Sequence, residues 1–236
     1  MSVAERKYTL SSIELEAGAF RAYLQGRYAQ SGLIEDLDKL TRRKKGVYIF
    51  SGVIRDYFLG NKDAVRDLDI VLTGKLSDKD IEHPQYISTN SFGGKKIIKN
   101  GETIDMWSLS KTWGIKKMRL PSSESSLLMT PFFNFSAIIY DYKDNRFITR
   151  DDFVSFLNTK VIDYVYSENP YPELCIINSI YYHNKLGYKL SSNLGQWLFR
   201  QYVENIYDFD VIQLHHFGNV IFSREEINDF VNSLIR

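Results

Sequence analysis

Residues 47–72, VYIFSGVIRDYFLGNKDAVRDLDIVL, restrict the possible folds more than any other part of the chain. An apolar run ends at Ser51-Gly52, a short helical stretch follows, and a second apolar run carries Asp67 and Asp69. Side chains on a strand alternate between its two faces. Asp67 and Asp69 therefore project from one face, and Leu68, Ile70 and Leu72 from the other, toward a core. Two carboxylates fixed side by side repel each other unless a cation joins them, and hard oxygen ligands suit Mg²⁺. An Asp-x-Asp at a strand edge is commonly just solvated, so the pair needs support from elsewhere. GETIDMWSL at 101–109 supplies it, with Thr103, Asp105 and Trp107 on one face and Ile104 and Met106 on the other. Neighbouring strands that bring three carboxylates together meet the demand of a two-metal phosphoryl-transfer site, whose ions lie roughly 3.5–4 Å apart.

A Ser/Gly turn, then Asp-x-Asp, then a later single Asp resembles the pattern of the DNA polymerase β-like nucleotidyltransferases. SGVIRDYFLG is similar to the GGAVRDLLLG segment of the head domain of CCA-adding enzymes and bacterial poly(A) polymerases, and fourteen residues separate Gly52 from Asp67. FNFSAIIYD at 133–141 resembles that family's FTINALAYD, and KLGYKL at 185–190 resembles the end of its later arginine-rich helix. The likeness covers roughly residues 45–190 and is strongest at 47–72.

The resemblance implies an α+β fold: a polymerase β-like nucleotidyltransferase mixed sheet flanked by helices, with N-terminal helices and a helical C-terminal part. Residues 1–45 are expected to form an N-terminal helical segment, 46–145 the catalytic domain and 146–236 a mainly helical domain. Ser51 and Gly52 would hold a nucleotide triphosphate through a hydroxyl and backbone N–H groups, since glycine permits close approach and a helix N-terminus favours anions. Arg55 and Asp56 match the family's Arg-Asp pair; Arg55 either contacts phosphate or ribose or pairs with Asp67 or another nearby acid. Asp67, Asp69 and Asp105 would bind Mg²⁺ or Mn²⁺, and Asp105 would also accept the proton of an attacking hydroxyl. The implied activity moves a nucleoside monophosphate from an NTP to a hydroxyl acceptor and releases pyrophosphate. An RNA end, a protein side chain and a small molecule all stand as acceptors. The alternative is a non-catalytic nucleotide-binding or interaction module that keeps the fold.

The departures motivate that alternative. Two arginines and an aspartate precede FTINAL in the family, where this chain has Thr130, Pro131 and Phe132; the Asn of FTINAL is Ser136. If KLGY sets the register, Cys175, Asn178 and Tyr181 occupy the positions of the base-reading arginines. Arginine's fixed fork of donors has no equivalent in Cys or Tyr. Selection of CTP and ATP is therefore not carried over.

Composition is ordinary for a globular chain, and a formal net charge of +1 gives no global field for nucleic acid. The single Cys175 excludes an internal disulfide, fits a reducing cytoplasm, and sits in the apolar PELCIINSI as a buried thiol. No apolar run reaches the length of a membrane span, and MSVAERKYTL lacks the apolar core of a signal peptide.

Along the chain, residues 11–43 read as two helices with a capping box at Ser11 and Glu14; the basic run Arg42–Lys45 closes the second before a Gly46 cap. A polar helix is expected near 76–82, and Asn100-Gly101 joins strands 95–99 and 102–109 in a hairpin. Lys95, Lys96 and Lys111 are solvated, or one of them faces the phosphates. Residues 115–127 read as an exposed loop in which Lys116, Lys117 and Arg119 are possible acceptor contacts, and 132–140 as a strand. Helices follow at 151–157, 172–186, 192–206 and 223–235. Tyr181 and Tyr182 either stack a base or belong to the core, and His215-His216 is placed on a strand, without zinc.

Overall fold

The computed structural model describes residues 7–61, 67–90 and 93–235; residues 1–6, where the signal-peptide reading partly rests, lie outside them. The chain divides into two compact units. The first holds the residues up to Pro131 together with Phe135–Asn158, and the second holds Phe132–Asn134 and the residues from Thr159 onward.

In the first unit three helices come first: α1 (Leu10–Glu14), α2 (Ala17–Arg27) and α3 (Leu33–Arg43). The expected pair is thus three, and the capping box is Thr9 with Ser12 rather than Ser11 with Glu14. Thr9 Oγ1 accepts from Ser12 N while Ser12 Oγ accepts from Thr9 N, satisfying two donors at the helix start. Then come β1 (Val47–Phe50), α4 (Gly52–Phe58), β2 (Asp67–Leu72), β3 (Tyr86–Thr89), β4 (Lys95–Lys99) and β5 (Glu102–Ser108). α5 (Trp113–Met118), α6 (Glu124–Leu127), β6 (Ile138–Asp141), β7 (Arg146–Thr149) and α7 (Asp151–Thr159) complete the run.

Among the described residues the strands form one sheet in the order β3-β4-β5-β2-β1-β6-β7. Only the central β2–β5 pair is parallel; its neighbours are antiparallel. The β4–β5 hairpin turns at Asn100 and Gly101, both with positive φ (47° and 82°), the backbone that a two-residue hairpin of this hand demands.

One face of the sheet is covered by the N-terminal helices. Phe20 of α2 meets Tyr140 of β6 and Phe147 of β7 at ring-centroid distances of 4.9 and 5.1 Å, and Leu68, Ile70, Ile104 and Met106 are buried. Arg27 grips Glu102 through both of its terminal nitrogens (2.7 and 3.2 Å), and Lys99 bonds Asp36 of α3, a nearly fully buried ion pair. The other face carries a smaller apolar cluster, in which Tyr48, Val71 and Ile139 of the sheet pack with Ile115, Leu127 and Leu128.

That cluster overturns the reading of 115–127 as an exposed loop. Ser123 caps α6 by accepting from Ser126 N, and the apolar side chains at 115, 127 and 128 turn inward. The basic run after α3 has no Gly46 cap; the helix closes at Lys44, whose ammonium reaches Asp80 at 3.4 Å. Residues 76–82 form turns, held by Asp80 accepting from Ser77 N, rather than a polar helix. The strand expected over 132–140 begins only at Ile138, after a 3₁₀ turn at Asn134–Ser136.

The second unit is mainly helical. A short parallel pair, β8 (Val161–Ile162) and β9 (Lys189–Leu190), accompanies α8 (Pro172–Leu186), α9 (Ser192–Glu204), α10 (Phe209–Phe217) and α11 (Arg224–Ser233). His215 and His216 lie on α10, not on a strand; Asp208 caps its start through Val211 N and Gly218 ends it at φ 78°. Phe132 packs on Trp197 at 4.8 Å and Phe133 on Tyr182 at 5.9 Å, while Phe133 forms an isolated bridge with Tyr164. Tyr181 and Tyr182 are half-buried and touch each other edge-on at 5.2 Å.

Candidate active site

Parallel pairing of β2 with β5 sets the geometry of the acidic residues. The register puts Asp69 directly opposite Asp105 and Asp67 opposite Thr103. Strand alternation then places all three carboxylates on the same face, and Leu68, Ile70, Ile104 and Met106 beneath them in the core. Each of the three aspartates is half-buried, and none is turned into the apolar interior. The row continues on both sides: Phe50 is opposite Asp69 on β1, and Lys96 is opposite Asp105 on β4. Lys96 Nζ stands 3.9 Å from Asp105 Oδ2. Of the lysines singled out near the hairpin, Lys96 is the one on this row; Lys95 bonds Asp78 instead.

Three carboxylates offer the hard oxygen donors that Mg²⁺ or Mn²⁺ prefers, so the donor chemistry fits a divalent ion. Among the described residues, however, no three His, Cys, Asp or Glu side chains already stand as a set that could hold one.

The Ser51-Gly52 turn follows β1, whose last residue pairs with Asp69. Ser51 has φ 56° and ψ −99°, a backbone that side-chain-bearing residues rarely adopt and that tends to be kept where function needs it. Its hydroxyl donates to Ser136 Oγ at 2.7 Å and its N–H to Ile138 O at 3.3 Å. The partnership with Ser136 was not foreseen, because the two positions are 85 residues apart and only sheet pairing of β1 with β6 joins them.

Gly52 opens α4, and a Cβ there would meet nothing within 4 Å. Arg55 and Asp56 lie behind the turn, 5% and 2% exposed. Arg55 donates from Nε and Nη2 to the two oxygens of Asp56 at 2.8 and 3.0 Å, and its guanidinium lies 5.2 Å from the ring centroid of Phe135.

The next row of the same face is apolar: Tyr48, Val71 and Trp107 in register. Trp107 meets Phe50 edge-on at 5.9 Å, and its indole N–H donates to Thr112 Oγ1 at 3.1 Å. Tyr48 donates to Glu124 at 2.6 Å; burial and that bond push its phenol above the usual range, so it stays neutral.

No protein-family model matches the sequence. No curated protein sequence matches it either. Solved structures do. A complex of a CCA-adding enzyme with ATP superposes with a TM-score of 0.59 at 16% identity, covering 96% of this chain and 55% of that one. A tRNA-processing enzyme in an apo form gives 0.57 at 17% identity over 80% of this chain and 55% of that one. A CCA-adding enzyme, also in an apo form, gives 0.55 at 18% identity over 73% of this chain and 42% of that one. The chain thus spans about half the length of these enzymes. At such identities the likeness establishes architecture: this chain has the nucleotidyltransferase fold seen in CCA-adding enzymes.

Proposed function

We propose that the protein is a metal-dependent nucleotidyltransferase that moves a nucleoside monophosphate from an NTP to a hydroxyl acceptor. The observation that supports this reading is the direct register of Asp69 with Asp105, with Asp67 on the same face, beside the strained Ser51-Gly52 turn. In this reading the Ser51-Gly52 turn meets the triphosphate, with the backbone N–H of Gly52 donating to it while that of Ser51 is held by Ile138 O, and the Arg55–Asp56 pair holds α4 behind the turn. Asp67, Asp69 and Asp105 would hold Mg²⁺ or Mn²⁺, which when bound neutralises charge on the transferring phosphoryl group. Asp105 takes the proton of the acceptor hydroxyl; the freed oxygen bonds to the α-phosphorus, and the bond to pyrophosphate breaks. Rigid strands keep the aspartates aimed, and positioning supplies much of such catalysis. The acceptor is an RNA end, a protein side chain or a small molecule.

A second reading is a nucleotide-binding module without catalysis. Pro131 and Cys175 favour it, since both stand where the resemblance expects an arginine and both are buried. Calorimetry with ATP, CTP, GTP and UTP, with and without Mg²⁺, separates the two. The enzyme reading expects metal-dependent affinity that Asp67→Asn abolishes, together with release of pyrophosphate when an acceptor is supplied. Metal-indifferent binding, unchanged in Asp67→Asn, sinks it in favour of the module.

A further inference from the structure

The acidic row leaves open what reads the base of a bound nucleotide. Cys175, Asn178 and Tyr181 stand where the resemblance expects base-reading arginines, and none of them offers a guanidinium's fixed fork. The strands give the nucleotide a direction. β1 runs antiparallel to β2, so the chain leaves Phe50 beside Asp69 and reaches Ser51-Gly52 at the Asp67 end of the row. With the triphosphate at that turn and the α-phosphate over the aspartates, the ribose and base extend the other way, toward the row of Tyr48, Val71 and Trp107.

A cavity of about 240 Å³ opens at that end, lined by Asn90, Gly94, Trp107, Lys111, Thr112 and Trp113. Trp107 follows Asp105 by two residues on the same side of β5, about 6.6 Å along the strand, a gap that one ribose can bridge. The cavity is smaller than the roughly 300–1,000 Å³ that engulfs a drug-sized ligand, which suits one planar base and not a whole nucleotide. A Cβ at Gly94 would lie 3.3 Å from Trp107 Cβ and 2.9 Å from the Asn90 amide nitrogen, so a larger residue would crowd this floor. The helix that carries Trp113 is held in place: Ile115 is buried in the apolar cluster, and a Cβ on Gly114 would come within 2.7 Å of Thr130 Cβ.

The lining is rich in donors. Its two side-chain oxygens already accept a protein N–H: Asn90 Oδ1 from Gly94 N at 2.8 Å, and Thr112 Oγ1 from Trp107 Nε1 at 3.1 Å. Lys111 adds an ammonium, which donates and cannot accept, and among the described residues no ion pair engages it. A base edge with a carbonyl oxygen finds a partner on this wall. An exocyclic amine brings a donor to a wall of donors and gives up its water for nothing. Guanine and uracil carry a carbonyl where adenine and cytosine carry the amine.

We infer that this cavity is the base pocket of the nucleotide site and that it selects the oxo bases, guanine and uracil, over adenine and cytosine. The ring lies against the indoles that line the cavity, and Lys111 donates to O6 of guanine or O4 of uracil. The inference rests on the nucleotidyltransferase reading and names its nucleotide.

Titration calorimetry with Mg²⁺ and GTP, UTP, ITP, ATP or CTP tests it. ITP has a carbonyl where ATP has the amine, so that pair isolates the proposed contact. ITP is expected to bind about 2- to 13-fold tighter than ATP, the worth of one hydrogen bond exchanged with water, and GTP and UTP are expected to exceed ATP and CTP. Lys111→Met is expected to bring the ITP-to-ATP ratio near one. Trp113→Ala is expected to weaken every NTP about 5- to 160-fold, the range for one lost base-stacking contact, and Trp113→Phe to stay within a few-fold of the parent. Inorganic tripolyphosphate with Mg²⁺, which has no base, is expected to bind Trp113→Ala as it binds the parent. Equal affinity for ITP and ATP, a preference for ATP and CTP, or a ratio unmoved by Lys111→Met overturns the inference and leaves the nucleotidyltransferase reading standing, provided that binding still depends on Mg²⁺. Failure of every NTP and of tripolyphosphate to bind the parent overturns both. The parent's own ITP-to-ATP ratio decides even if Trp113→Ala does not fold.

Discussion

Lys96 faces Asp105 across the β4–β5 hairpin, its ammonium 3.9 Å from the carboxylate. The lysine thus occupies the edge of the acidic row where a divalent cation would compete with it. Both side chains are partly open to water (49% and 31%), so solvent screens the pair and it is worth only about 0.2–1 kcal/mol. Lys96→Met is therefore expected to tighten Mg²⁺ binding by roughly 1.4- to 5-fold, read by titration calorimetry without nucleotide. Weaker metal binding in that variant would mean that the lysine supports the aspartates rather than competing.

Ser51→Gly and Ser136→Ala should part in sign. The φ of 56° at Ser51 costs a side-chain-bearing residue on the order of 1–3 kcal/mol, which glycine avoids. The lost hydroxyl bond to Ser136 subtracts about 0.5–1.5 kcal/mol. Ser51→Gly is then expected to be neutral or stabilising by up to about 2 kcal/mol, and Ser136→Ala to destabilise by about 1 kcal/mol. Urea midpoints decide, and equal losses in both would remove the strain argument.

Lys99→Met should be the costliest single change outside the site. The Lys99 ammonium is buried, bonded to Asp36 and to Gly32 O at 3.1 Å. Removing it leaves the Asp36 carboxylate buried with only Glu82 N still donating at 3.2 Å. A loss of about 3–5 kcal/mol is expected, and Asp36→Leu added to Lys99→Met should restore much of it. A double variant as unstable as the single one would show that the pair holds α3 through packing instead of charge.

Cys175 should resist thiol reagents at pH 8 until the protein unfolds. Burial pushes its thiol above the usual range, which keeps it protonated. The folded state then holds its proton where the unfolded chain gives it up, so this group's share of stability is present below the unfolded thiol's range and fades as pH rises through it. Labelling by an aromatic disulfide, timed against unfolding, checks both statements. Prompt labelling of the folded protein would contradict the burial.

The acidic row was legible because strand alternation is short-ranged: Asp67, Asp69, Asp105 and their apolar partners sort by period two with no knowledge of topology. The hairpin at Asn100-Gly101 was legible for the same reason. What escaped depended on distant partners. Residues 115–127 look polar, yet Ile115, Leu127 and the adjoining Leu128 are anchored in a cluster with Tyr48 and Ile139, which sequence distance conceals. β3 and β7 are four residues each, too short for a periodic signal, and they exist because β4 and β6 offer them an edge. α10 carried its own markers in Asp208 and Gly218, but its apolar residues run nearly all round and hide the helical stripe. Lys96 was one of several lysines until the β4–β5 register singled it out.

Three residues, Phe132–Asn134, travel with the second unit although the chain on either side of them belongs to the first. Cutting the gene at Thr159 would therefore deprive the later piece of the Phe133–Tyr164 bridge and of the ring that covers Trp197. The earlier piece would end with two stranded phenylalanines and no home for them. Independent expression of either half is a poor route to a soluble fragment, and a growing polypeptide must hold this short stretch in reserve until some thirty further residues have been made.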